Sequence, residues 1–200
     1  MDLSKSIFKI KQTGIKLETG KILISSPFLE DGLFGRSIIL ITDISAADDG
    51  AIGLVLNKPT EILLSDVSID FPFKDINLYT GGPVQTDSMF ILHTYGDIIE
   101  GSVHIIDNIY WGGNKAQIEE YIKLGRIDIQ KIKFFLGYSG WAYQQLKDEL
   151  KTESWIISDF NNSIDILNYK SKDDLWKNYV SSFGNKYEFW LKLPSKASDN

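Results

Sequence analysis

KILISSPFLEDGLFGRSIILITDISAADDGAIGLVLNKP, residues 21–59, is the stretch that decides how the rest of the chain is read. It holds three apolar runs: KILIS (21–25), the segment 37–44 and AIGLVLNK (51–58). Turn residues separate them. Pro27 and Asp31-Gly32 fill the first gap, Ala46-Ala47-Asp48-Asp49-Gly50 the second, and Pro59 stops the third run. Short β-branched runs punctuated by Gly, Asp and Pro form strands joined by turns. Because the runs are almost continuously apolar, they predict an antiparallel meander covered on both faces.

Further strands are expected downstream. INLYTGGPV (76–84) enters a Gly-Gly-Pro turn, and MFILHTY (89–95) and SVHIIDNIYW (102–111) are rich in β-branched and aromatic residues. KIKFFLG (131–137) and SWIISDF (154–160) follow the same pattern. Between and after them the period changes. In NKAQIEEYIKLG, Ile118, Tyr121 and Ile122 recur at helical spacing between a capping Asn114 and a terminating Gly125. WAYQQLKDEL predicts a second helix. SKDDLWKNYVSSFG predicts a third, with Ser171 as N-cap, Asp173 and Asp174 in the first turn and a Leu175, Tyr179, Val180 stripe. NKYEFWLKLP allows a short last helix with Tyr187, Trp190 and Leu191 on one face. One helical turn is expected near Leu63–Val67 and a short helix near Leu3–Ile10.

Strands come mostly first and helices gather in the C-terminal half, which predicts an α+β fold. Residues 1–17 read as an N-terminal extension, 18–194 as a single domain and 195–200 as a loose tail.

Composition narrows the functional classes. Of 200 residues, 43% are hydrophobic and 24% charged, the balance of a soluble globular chain able to fill a core. The formal charge of −6 disfavours direct nucleic-acid binding, which relies on neutralising phosphates. The densest basic stretch, KLGRIDIQKIK (123–133), reads as a solvated helix end running into a strand. With no cysteine, disulfides, thiol catalysis and thiolate metal sites are all excluded, as suits a reducing cytosol. The first twenty residues carry no secretory pattern, and SIILI (37–41) and AIGLVL (51–56) are too short to span a bilayer. A cytoplasmic protein without a membrane role is expected.

The chemistry-bearing candidates begin with GYSGWAYQQLKDELKTESW (137–155), read as a strand-to-helix turn built on Gly137, Ser139 and Gly140. A nucleophile elbow reads G-x-S-x-G, and Trp141 takes the place of its second glycine. A serine nucleophile also needs a base, and only His93 and His104 exist. A capping serine explains the pattern better. Free amides at the helix start offer an anion cradle, but the lysine and long glycine loop of a P-loop are missing. His93 and His104, with Asp97, Glu100 and Asp107, match no metal-ligand spacing, so no metal and no cofactor is expected. Gly81-Gly82-Pro83 reads as a turn. Asn57 is placed to hydrogen-bond a turn and Lys58 to meet an anion. The many acids, including the pair Asp148 and Glu149, read as solvated surface.

The blocks GKILISSPFLEDGLFGRSIILI (20–41), GAIGLVLNKP (50–59), GGPV (81–84) with FILH (90–93), and GYSGWAYQQLKDEL with Trp155 occur in an order that resembles the YqgE/AlgH family of bacterial proteins. LWKNYVSSFGNKY resembles that family's C-terminal region. The chain departs from the family's GW-x-x-GQLE pattern, with Gln144 for the glycine and Lys147 for the acid. The resemblance implies a large, barrel-like, mainly antiparallel sheet with helices packed outside. Members are commonly labelled transcriptional regulators, and the resemblance brings no catalytic residue with it.

Of the matching positions, Arg36, Asn57, His93, Ser139 and Gln145 are polar and lie near element ends. They are the candidate ligand-binding residues, expected to converge on one cleft for a small anionic ligand or a partner's peptide. The leading reading is a non-enzymatic regulatory or binding module acting through a protein partner or small ligand. The alternative is a hydrolase using a cleft near Ser139 and His93.

Overall fold

A computed structural model describes residues 16–29, 32–45, 50–67, 75–169, 172–184 and 187–194. The short N-terminal helix, the Ser171 cap and the tail expected from the sequence lie outside those residues. The three apolar runs form β1 (Ile22–Ser25), β2 (Ile38–Ser45) and β3 (Gly50–Val55), paired as an antiparallel meander. Then come β4 (Pro59–Leu63), the single turn α1 (Leu64–Val67), β5 (Asn77–Thr80) and β6 (Val84–His93). A hairpin of β7 (Ser102–Ile106) and β8 (Ile109–Gly112) leads into α2 (Lys115–Lys123), β9 (Ile132–Ala142), α3 (Tyr143–Lys151) and β10 (Trp155–Ser158). The chain closes with α4 (Lys172–Ser182) and α5 (Glu188–Lys192).

These strands make one curled sheet in the order β10-β1-β2-β3-β9-β6-β8-β7, with β5 beside β9 and β4 beside β5. The β5–β9 pair is parallel and the other pairs are antiparallel. The α+β class expected from the order of elements is what the chain adopts, and the barrel-like, mainly antiparallel sheet that the family resemblance implies is present as a curled half-barrel.

β9 is the hinge of this architecture. At Phe135 it pairs with Tyr79 of β5 on one side and Phe90 of β6 on the other. From Ser139 to Ala142 its partner becomes β3. GYSGW is thus continuous strand, not the turn its glycines suggest, and the following helix starts at Tyr143 with no side-chain cap bond. Ser139 caps nothing. The glycines serve a crossing instead. To pass from β5 to β6 the chain must step over β9, and it does so at Gly81-Gly82. A Cβ on Gly82 would lie 2.1 Å from the Tyr138 carbonyl carbon, and one on Gly81 would lie 2.2 Å from the Gly137 oxygen. Only glycine allows two backbones this close.

SVHIIDNIYW is likewise two strands rather than one, broken at Asp107 with φ 47°. Asp tolerates that left-handed conformation better than most residues.

Both sheet faces are covered, so β1 to β3 show no polar face. One face of the curl carries Ile22, Ile24, Leu40, Leu54, Leu92 and Phe135, closed by Leu175, Trp176, Tyr179 and Trp190 of α4 and α5. On the other face α3 packs Leu146 and Leu150 on Leu23, Ile39 and Val55. Further along, α2 packs Ile118 and Ile122 on Ile91, Ile132 and Phe134. Asn114 caps α2 by accepting the Gln117 amide, as its sequence predicts.

Candidate functional site

The five candidate residues fall in four places. Arg36 and Asn57 are together. Arg36 has φ 50°, and its guanidinium stacks over Trp176 at 5.2 Å, faces Asp173 at 3.8 Å and donates to the Leu193 carbonyl. Asn57 is buried, accepts the Ile38 amide at 2.9 Å and donates to the Arg36 carbonyl at 2.9 Å. Lys58 donates to the Gly35 carbonyl at 2.7 Å. This cluster ties the loop before β2 to the end of β3 and to the C-terminal helices.

Ser139 is buried in β9 and donates to the Gly81 carbonyl at 3.1 Å, fastening the crossing. His93 ends β6 opposite Ile132, seven residues back along β9 from Ser139, a separation of about 23 Å at the usual strand rise. The His93 Nδ1 accepts the Tyr95 amide at 3.0 Å, which assigns the ring proton to Nε2, facing Ser102 Oγ at 3.3 Å. Ser102 in turn donates to the Ile99 carbonyl at 2.7 Å. Burial lowers the His93 pKa, with a hydrogen bond to the Gly112 backbone pushing back. A neutral imidazole whose basic nitrogen already holds an amide has no free position to accept a serine proton.

Gln145, exposed on α3, leads to residues that sequence reasoning missed. It donates to Glu149 Oε1 at 2.9 Å, while Glu149 Oε2 accepts the indole N–H of Trp141 at 3.0 Å and of Trp155 at 2.7 Å. The two indoles meet edge to face, and Phe34 packs edge-on against Trp155. Glu149, read from sequence as a solvated acid, clamps α3 to β9 and β10. Trp141 and Glu149 lie eight positions apart, but that signal is too common to read unaided.

Lys133 was missed in the same way. It is buried, not a solvated helix end, with Nζ 3.7 Å from the Tyr169 ring, 4.1 Å from the Tyr79 ring and 3.3 Å from the Ile166 carbonyl. A lysine between Ile132 and Phe134-Phe135 was the available hint.

A separate groove is lined by none of the five. It has a volume of about 700 Å3 and runs beside β6, β8 and β7, its lining including Phe90, Ile91, Trp111 and Leu136. Val67 of α1 and Val103 of β7 stand on its walls, 46% and 51% exposed, and Asp87 and Lys115 contribute charge. Phe90 and Trp111 stack at 5.9 Å with their planes 9° apart. β7 has one strand neighbour among the described residues, so it borders the groove as a sheet edge. Among those residues no group of three or more His, Cys, Asp or Glu side chains could hold a metal ion. No helix there is long and apolar enough to cross a membrane.

Known proteins match this frame. A UPF0301 protein of Bacteroides thetaiotaomicron is 40% identical over 201 residues, covering all of both chains. One from Bacteroides fragilis is 41% identical over the same span. The crystal structure of protein DIP2367 from Corynebacterium diphtheriae superposes with a TM-score of 0.73 at 20% identity, covering 88% of this chain and 92% of that one. The solution structure of the AlgH protein from Pseudomonas aeruginosa superposes with a TM-score of 0.67 at 23% identity, covering 92% of this chain and all of that one. Those two likenesses show a common fold. With the AlgH-like family profile matching residues 22–188 and full-length relatives this similar, the chain belongs to the AlgH-like family.

Proposed function

We propose that this chain is a non-enzymatic cytoplasmic binding module that acts in regulation through a protein partner, received in the groove beside β6, β8 and β7. The observation that carries this reading is the exposed apolar lining of that groove, Val67 and Val103, together with the stacked Phe90 and Trp111. Exposed aliphatic groups beside stacked aromatic rings and a sheet edge suit the apolar side chains of an extended segment. Asp87 and Lys115 add charged groups that would orient such a segment. The acidic balance of the chain argues against direct nucleic-acid contact, so regulation would run through another protein. A volume of about 700 Å3 also suits a small ligand, and the test separates the two.

A photo-crosslinking residue placed at Val103 should give one discrete protein adduct in cells. The same residue at the exposed Asp148 of α3 should not give it. Val67→Glu, an exposed position, should abolish the adduct while leaving the thermal midpoint in place. Equal adducts at both positions, or none at Val103, would overturn the reading. A small-molecule adduct at Val103 would replace the protein partner by a ligand.

A further inference from the structure

Residues 159–169 cross the molecule without helix or strand and form one wall of a second cleft of about 340 Å3. Phe160, Ile164, Asp165 and Ile166 line it from this segment, facing Ile109 and Lys131 on the sheet side. The segment is stiffened by its own turns, since Asp165 accepts the amides of Leu167 and Asn168, each at 2.9 Å. Ile166 is buried in the core, and the Tyr169 hydroxyl donates to the Leu56 carbonyl at 2.5 Å. Phe160, Ile164 and Leu167 also pack on the core, Asp159 pairs with Lys21 at 2.6 Å, and Lys133 adds a buried polar attachment. Its ammonium rises from β9, donates to the Ile166 carbonyl and lies over the Tyr169 ring, two contacts with the segment from one buried charge.

We propose that residues 159–169 are a strap latched by Lys133: the charged ammonium holds the strap against the sheet, and the neutral amine lets it lift and widen the cleft beneath. Each contact of Nζ favours the charged form. Ring faces attract cations, and a carbonyl accepts a stronger hydrogen bond from an ammonium than from an amine. Few groups compete. The strap presents Asp165 and Tyr169, β5 presents Tyr79, and β6 presents apolar Leu92 opposite Lys133. On its own element, Lys131 faces the cleft.

Burial pulls the Lys133 pKa well below the ordinary lysine range, and the Asp165 carboxylate pushes back. Burial also raises the Tyr169 phenol, and raises Tyr179 to about 12, so neither ionises while the amine loses its proton. Opening therefore follows the loss of that proton as pH rises.

Hydrogen exchange of the full chain tests this at pH 5.5 and pH 9.5, corrected for the faster chemical exchange in base. Protection of the strap amides should fall about tenfold or more at pH 9.5, while amides of β1 to β3 keep theirs. Lys133→Met should show the low strap protection at both pH values, and Asp165→Asn, at an exposed position, should move the transition to lower pH. Strap protection that is the same at both pH values in the native chain overturns the latch. So does a folded Lys133→Met with native strap protection at pH 5.5. If Lys133→Met does not fold, an unmoved transition in Asp165→Asn overturns it instead.

Discussion

Replacing Glu149 by alanine tests whether one carboxylate joins α3 to the sheet. In the native chain its Oε2 receives the indole N–H groups of Trp141 and Trp155, which are 6% and 2% exposed. Removing the acceptor leaves two buried donors without a partner, and each such loss costs about 1–3 kcal/mol. Glu149 itself is only half-buried, so water can enter the space and take up part of the loss. That sets the expected cost at about 2–4 kcal/mol in total. With a urea dependence of about 2 kcal/mol/M, the unfolding midpoint should drop by about 1–2 M.

The assay is urea unfolding followed by far-UV circular dichroism and by tryptophan fluorescence, which reports directly on the two indoles. Glu149→Gln keeps one acceptor oxygen in the same place and should recover about half of the loss. The neighbouring acid is the control. Asp148 is exposed and bonds Gln144 and Lys151 at the surface, so Asp148→Ala should leave the midpoint unchanged within error. If Glu149→Ala behaves like Asp148→Ala, with an unmoved midpoint and an unchanged emission maximum, the clamp is refuted.

Asn57→Ala removes the acceptor of the Ile38 amide and the donor to the Arg36 carbonyl in a buried corner; denaturant unfolding should show a loss of about 2–4 kcal/mol. Gly82→Ala puts a methyl group 2.1 Å from the Tyr138 carbonyl carbon, and soluble yield should collapse, because neither backbone at the crossing can give way. Its counterpart Gly125→Ala has open space but a φ of +66°, and should cost about 1 kcal/mol without loss of solubility. His93 supplies a pH test. Its folded pKa is lowered by burial, so the unfolded chain takes up the proton first, and stability falls as pH drops below the unfolded value of about 6.5. His93→Phe lacks this term. The stability gap between native and variant, read from urea midpoints at pH 7.5 and 5, should therefore narrow in acid, and a constant gap would contradict the buried neutral ring.

Residues 21–59 were legible because burial on both faces leaves its mark on every position of a short strand. β1, β2 and β3 appear as the apolar runs predict, and the cap of α2 was legible for the same local reason. GYSGW was misread because glycine marks both a strand end and a close backbone crossing. Which of the two applies depends on Gly81 and Gly82, some fifty-five residues away, and no local pattern carries that information. Glu149 and Lys133 failed similarly. A charged residue is assigned to the surface unless its partners are known, and Trp155, Tyr79 and Tyr169 are joined to them only by the fold. Convergence of Arg36, Asn57, His93, Ser139 and Gln145 could not be read at all. Lying near element ends is a one-dimensional property, whereas sharing a cleft is a three-dimensional one.

The blocks that carry the family resemblance hold the frame, and the groove lies mostly outside them. Arg36, Asn57, Gly81, Gly82, Ser139, Trp141 and Glu149 all fall within those blocks, and each makes a contact that fixes one element on another. Of the groove residues, Phe90 and Ile91 belong to a matching block, whereas Val67, Asp87, Met89, Val103, Trp111 and Lys115 do not. The lining of the groove can therefore change without disturbing the crossing, the corner or the clamp. The same division holds for Lys133, Tyr79, Asp165 and Tyr169, which govern the strap from outside the blocks. If the groove is the binding surface, exchanging Val67, Asp87, Val103 and Lys115 for the residues of a relative should transfer that relative's crosslinked adduct and leave the unfolding midpoint in place. Exchanging Arg36 or Asn57 should do the reverse, lowering the midpoint without changing which adduct forms. An adduct that follows the frame residues would place the binding surface elsewhere on the molecule.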